Sequence, residues 1–119
     1  SKLEELLYYT GIELLEDYDP TLLSKYPSSS TRFILGRQAF QARKFDKALE
    51  LFNMMHTDHR FYPEGRLLVA HILAEKKDMK NSYEAVSQCL SAAEKLESEA
   101  INFKIKRYFR MVNEICLVN

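Results

Sequence analysis

An all-α fold, made of antiparallel helix-turn-helix units and about six helices, is what the sequence predicts. Three observations carry that expectation. Apolar residues recur at i, i+3 and i+4 along nearly every segment, and no strand-like alternation persists. Only three Gly and three Pro are present, which is little turn material for a chain of 119 residues. Leu, Ile, Val and Phe fill more than a quarter of the chain, enough to bury a core and too many for a disordered polymer.

The segments follow in order. Residues 3–16 place Leu3, Leu6, Leu7, Gly11, Leu14 and Leu15 on one side, and Pro20 ends the pattern by disfavouring helical geometry at Asp19. A short helical turn over 21–25 leads to Tyr26-Pro27 and three serines, a loop rich in helix caps. The second helix covers 30–42, alternating bulky Phe33, Leu35 and Phe40 with small Gly36 and Ala39. Asp46 is the expected N-cap of a third helix over 47–55, whose apolar face is Ala48, Leu51, Phe52 and Met55. Tyr62-Pro63-Glu64 opens a fourth helix, since Pro suits a first helical turn. Its Leu67, Leu68, Ala70, Ile72 and Leu73 leave little surface for water, so it is expected to be buried on two sides. A charged loop, 75–80, precedes a fifth helix over 81–97 with Tyr83, Val86, Cys89, Leu90, Ala93 and Leu96 inward. The sixth, over 98–118, carries Ile101, Ile105, Tyr108, Phe109, Val112 and Ile115. It stops without a cap, and further chain is expected beyond it.

Charge is balanced, with 17 Lys and Arg against 17 Asp and Glu. That balance argues against a dedicated nucleic-acid binder, whose phosphate contacts need a basic excess. No apolar run approaches the length of a membrane span. The distribution is uneven: residues 1–20 hold six acids and one base, while 101–119 hold four bases and one acid. Such poles either decorate solvated faces or steer partners and copies together. Cys89 and Cys116 both fall on apolar helix faces, as small buried hydrophobes or, were their helices adjacent, as a disulfide.

Gly36 and Ala48 stand twelve residues apart, on either side of a turn marked by Phe45-Asp46. Small side chains at those two sites let antiparallel helices nest closely. The string from Phe33 to Phe52, with Gly36, Phe45, Ala48 and Phe52 at these spacings, resembles the tetratricopeptide repeat, a helix-turn-helix unit of about 34 residues. The resemblance departs from the family pattern in having Ala39-Phe40 where one aromatic is usual, and in lacking a proline directly after the second helix. A looser second unit spans 62–97, with Ala70 at the glycine position and Ser82-Tyr-Glu-Ala85 echoing the segment that ends at Ala48. Its Ala70 to Ala85 interval is three residues longer, which implies a longer inter-helix loop. The organisation so implied is a divergent helical cap over 1–28, a first repeat over 29–61, a second over 62–97, and over 98–119 the first helix of a third or a capping helix. The implied architecture is a right-handed superhelix.

Catalytic patterns are missing. No Gly-x-Ser-x-Gly elbow or phosphate-cradling glycine loop exists. His56-x-x-His59 has a metal-like spacing but lies in an expected loop with no third ligand near. No enzyme, metal or cofactor is therefore expected. The resemblance implies a scaffold that binds a protein or peptide in a groove lined by the first helix of each unit. Carried over, that groove presents Phe33, Arg37, Phe40 and Gln41, then Leu67, His71 and Glu75, then Lys104 and Arg107. Arg37 would hold a carboxylate and Phe40 an apolar anchor. Arg37 and Gln41 stand where chaperone-binding members carry Asn and Lys, so a chaperone tail is not the expected ligand. Two alternatives stay open: a structural segment of a longer solenoid that packs on its own chain or homodimerises, and binding of RNA or an anionic membrane surface through the basic final helix.

Overall fold

A computed structural model describes residues 29–118, and 80% of them are helical with no strand among them. Five helices follow one another: α1 (Ser29–Gln41), α2 (Phe45–Asn53), α3 (Tyr62–Glu75), α4 (Met79–Glu99) and α5 (Phe103–Leu117). The helix expected over 3–16, the N-terminal cap and the acidic pole lie outside the described residues.

Consecutive helices run antiparallel. Arg32 near the start of α1 donates to the carbonyl of Met54 just past α2, at 2.9 Å. Ser82 at the start of α4 donates to Ala70 in the second half of α3, at 2.8 Å, while Arg66 near the start of α3 reaches Gln88. Glu97 near the end of α4 accepts from Arg110 in α5 at 3.0 Å. Beyond these neighbours, α1 packs on α3 and α3 on α5.

The turns that close the first two hairpins are the same structure. Ala42–Lys44 joins α1 to α2 and Lys76–Asp78 joins α3 to α4, three residues each. Arg43 (φ 60°) and Lys77 (φ 63°) are both left-handed, 34 positions apart. Lys44 donates back to Ala39 and Asp78 to Leu73, each at 2.8 Å. The helix boundaries flanking these turns, 41 and 75, then 45 and 79, keep the same interval. The longer loop expected in the second unit is therefore corrected: α4 starts at Met79 and absorbs the residues assigned to it. The equivalent of Ala48 is Ser82 rather than Ala85, which restores a twelve-residue interval from Ala70. Ser82 is buried at that helix crossing because its hydroxyl has the Ala70 carbonyl to bond. The two hairpin tips are tied side by side, Lys76 to Asp46 at 2.7 Å and Arg43 to Glu75 at 3.5 Å.

Gly36 sits where nesting demands it. A Cβ there would lie 2.6 Å from Cε1 of Phe52, a ring that is itself 1% exposed and has nowhere to retreat. Phe52, Ala48 and Phe33 belong to one core, with Phe33 stacked on Phe61 at 5.2 Å between centroids. A second core holds Leu67, Cys89, Ala93, Val112, Ile115 and Cys116. Helix α3 supplies both, Leu68, Val69, Ala70 and Ile72 to the first and Leu67 to the second, so the burial on two sides expected of it is observed.

Three further expectations change. Lys44, not Asp46, is the N-cap of α2, and Asp46 lies in its first turn free to pair with Lys76. Tyr83 is 66% exposed, because at the start of α4 Ser82 and Ala85 face inward in place of Tyr83 and Val86, while Cys89 and Ala93 are buried as expected. The last two helices do not meet at Ser98: α4 runs to Glu99, Ala100 turns extended, and the Asn102 side chain caps α5 by accepting from the Lys104 amide at 2.8 Å. Ile101 is thereby left outside the helix at 98% exposure, not in its apolar stripe. Cys89 and Cys116 are joined as a disulfide across α4 and α5, with Cα atoms 6.2 Å apart, so of the two readings left open the cross-link is the observed one.

Candidate interaction surfaces

The eight residues expected to line a partner groove do not form one surface. Phe33 and Leu67 are fully buried, one in each core, and cannot meet a partner without unfolding the domain; both are removed from the groove. Their large apolar side chains pointed to an anchor in the sequence and to core packing in the fold. Arg37 and Phe40 are half-buried on α1, the Phe40 ring 5.9 Å from that of Phe45 across the turn, and Gln41 is exposed. His71 is half-buried and borders a pocket of about 60 Å³ with Ser82 and Val86 of α4. Lys104 and Arg107 are exposed on α5. Lys104 borders a pocket of about 240 Å³ with Arg60, Asn102 and Tyr108, and the Arg107 guanidinium lies 5.1 Å above the Phe103 ring. Glu75, at the end of α3, is committed to Arg43.

Two grooves that the sequence reading missed are related by the interval of 34. The first, about 520 Å³, runs between α1 and α2 over Arg32, Leu35 and Ala39 on one side and Lys47, Glu50, Leu51 and Met54 on the other. The second, about 330 Å³, has Arg66, Val69 and Leu73 of α3 facing Asn81, Glu84, Ala85 and Gln88 of α4, each 34 positions on. Leu49 and Asn53 of α2 close its remaining side. The signal was present as Arg-x-x-apolar at 32–35 and 66–69, but pairing Ala85 with Ala48 put the two units out of step.

Arg66 is the most unusual side chain of the second groove. It is 8% exposed, donates to Asn53 Oδ1 at 2.6 Å and to Gln88 Oε1 at 3.2 Å, and lies 5.4 Å above the Tyr62 ring. Burial pulls its pKa below the ordinary arginine value, with Tyr62 opposing. It pairs with no carboxylate among the described residues, although a buried guanidinium remains charged. Glu64, in the first turn of the same helix, is fully buried, and its carboxyl is pushed up to about 8 by burial, against the opposing pull of Tyr108 and Arg60. It is therefore a neutral acid at neutral pH.

The histidine pair is tied to the backbone of its own loop. His56 and His59 each accept, through Nδ1, from the backbone amide two residues on, Asp58 at 3.2 Å and Phe61 at 3.1 Å. Burial, then Arg60 and His56, lower the pKa of His59 and favour its neutral form. Among the described residues no group of three or more His, Cys, Asp or Glu is arranged to hold a metal, and no helix is long and apolar enough to cross a membrane.

Comparison with protein-family models, with curated proteins and with solved structures returns no match to this chain.

Proposed function

We propose that this chain is a non-enzymatic protein-interaction scaffold built from tetratricopeptide-like hairpins, and that it holds a peptide or protein partner along its helix faces. The observation that carries the reading is the recurrence of one hairpin, turn and groove at an interval of 34 residues. Units of that kind bury a face against each neighbour and leave extended surfaces for partners. The partner surface is drawn from Arg37, Phe40 and Gln41 of α1, His71 of α3, and Lys104 and Arg107 of α5, with Phe33 and Leu67 excluded by their burial. Selection from a random peptide library on the full chain tests it: an enriched motif whose binding is lost in Arg37→Glu and kept in the exposed control Tyr83→Ala supports the scaffold. Failure to enrich any motif contradicts it.

A second reading, self-assembly or packing on further helices, is favoured by apolar side chains left exposed at the start of α5, Ile101 at 98% and Phe103 at 67%, with Leu117 and Val118 exposed at its other end. Light scattering separates the two. A dimer that survives dilution and dissociates in Phe103→Asp supports assembly through this face; a monomer that binds peptide supports the groove.

A further inference from the structure

We infer that the second groove, at the junction of α2, α3 and α4, is a binding site for a carboxylate carried by a peptide, with Arg66 at its base. Three observations converge on it. First, the Arg66 guanidinium is withdrawn from water, and among the described residues its hydrogen bonds go to neutral oxygens, those of Asn53 and Gln88, with Nε left over. A buried cation held by two amides and the Tyr62 ring, with no carboxylate among the described residues, has a place for a counter-charge, and an incoming anion supplies it. Second, the geometry leaves donors over. Each terminal nitrogen of Arg66 spends one N–H on its amide oxygen and keeps a second, while the Asn53 and Gln88 side chains each offer an NH₂ group. A planar carboxylate is the anion that fits such a fork. Third, there is room: the groove encloses about 330 Å³, and Asn81 adds a further amide at its edge.

Glu84 also borders the groove and decides between anions. Its carboxylate is exposed, so it repels weakly, and a doubly charged phosphate suffers that repulsion more than a singly charged carboxylate does. The groove is thus tuned to a carboxylate. The counterpart groove on α1 and α2 has Arg32 at the same position, but there the guanidinium meets a backbone carbonyl and Met54 rather than Asn53 and Gln88. Met54 stands where the second groove has Gln88, so no amide holds the guanidinium from that position, and the first groove is not assigned this role.

That the carboxylate is carried by a peptide rests on the scaffold reading; the carboxylate site itself does not, so the acetate titration and the peptide selection fail separately. The test is a titration of the ¹⁵N-labelled full chain with sodium acetate against sodium chloride of equal ionic strength, following the Arg66 Nε–H and the Asn53 and Gln88 side-chain amides. Saturable shifts with acetate, weaker ones with inorganic phosphate, loss in Arg66→Gln and several-fold tighter binding in Glu84→Gln are expected. The Glu84 variant changes only an exposed side chain and carries the test should Arg66→Gln fail to fold. Two capped peptides identify the source, one with an internal Glu and blocked ends, the other with a free C-terminus and no acidic side chain. Acetate shifts that match those of chloride, persist unchanged in Arg66→Gln, or fall below those of phosphate overturn the assignment.

Discussion

The two hairpins differ in what the same backbone holds. Both turn through three residues with a left-handed basic residue at the centre, and both open a groove bordered by seven equivalent positions. In the first hairpin the crossing is made by Gly36 against Phe52; in the second, Ala70 and Val86 occupy the same two positions. A larger group on one helix goes with a smaller one on the other, so the conserved quantity across the crossing is combined bulk, not residue identity. The grooves diverge in the same way. Leu51 and Met54 make the first apolar, whereas the second has the smaller Ala85 and the polar Gln88 in their place, with Asn53 reaching in from the preceding hairpin. The two hairpins keep the same turn and differ in their walls.

The largest expected effect attacks the first crossing. Phe52→Ala removes a ring 1% exposed at the centre of the first core and should cost about 3–5 kcal/mol, read from denaturant midpoints. The equivalent truncation in the second hairpin, Val86→Ala, should cost clearly less, because Val86 is only partly buried. Equal losses would break the comparison.

Glu64 separates the hairpins next, since its buried carboxyl belongs to the second alone. Its pKa is raised from 4.5 to about 8 on folding, so the folded state keeps a proton that the unfolded chain has released. Its stabilising contribution is complete below pH 4.5 and is lost as pH climbs toward 8, at up to about 1.4 kcal/mol per pH unit. Glu64→Gln should flatten this decline and raise stability at pH 8 by a few kcal/mol. A variant that loses stability at pH 8, with the slope unchanged, would show that the carboxyl is ionised in the fold.

Smaller effects come from the close approach and from the ties between tips. Gly36→Ala should cost roughly 1–3 kcal/mol through its collision with Phe52. Gly65→Ala should cost less, because its new methyl crowds only the flexible Met55 side chain, whose sulfur is 3.1 Å away, and meets Phe52 and Phe33 at ordinary contact distances. Asp46→Ala, which removes the exposed partner of Lys76, should change stability by less than about 1 kcal/mol. Thermal melts rank the three, and a reversed order would move the tight contact away from Gly36.

Much of this fold is legible in the sequence where side-chain chemistry is one-sided. The bounds of α1 and the start of α3 follow from serines and from Pro63, and the crossing of Gly36 with the α2 core follows from spacing alone. The second crossing is harder to read, because Ser82 is polar and Ala85, three residues on, offers a better apolar match. Only the Ala70 carbonyl, a tertiary partner, makes a buried serine acceptable. The same slip hid the Arg66 groove and turned Tyr83 inward on paper. Phe33 and Leu67 were legible as important apolar positions but not as core, since an anchor for a partner and an anchor for the fold have the same composition. The break at 100–102 rested on Asn102, a cap that a continuous apolar pattern overshadowed.

A double-mutant cycle at the first crossing tests the central claim, that the two hairpins are one unit whose crossing conserves combined bulk. Replacing Gly36 and Phe52 by Ala and Val installs the pair found 34 residues on. Strong non-additivity is expected: Gly36→Ala destabilises the Phe52 protein, but costs little or nothing once Phe52→Val is present, with a coupling above about 1 kcal/mol. Additive losses, within about 0.5 kcal/mol, would contradict it.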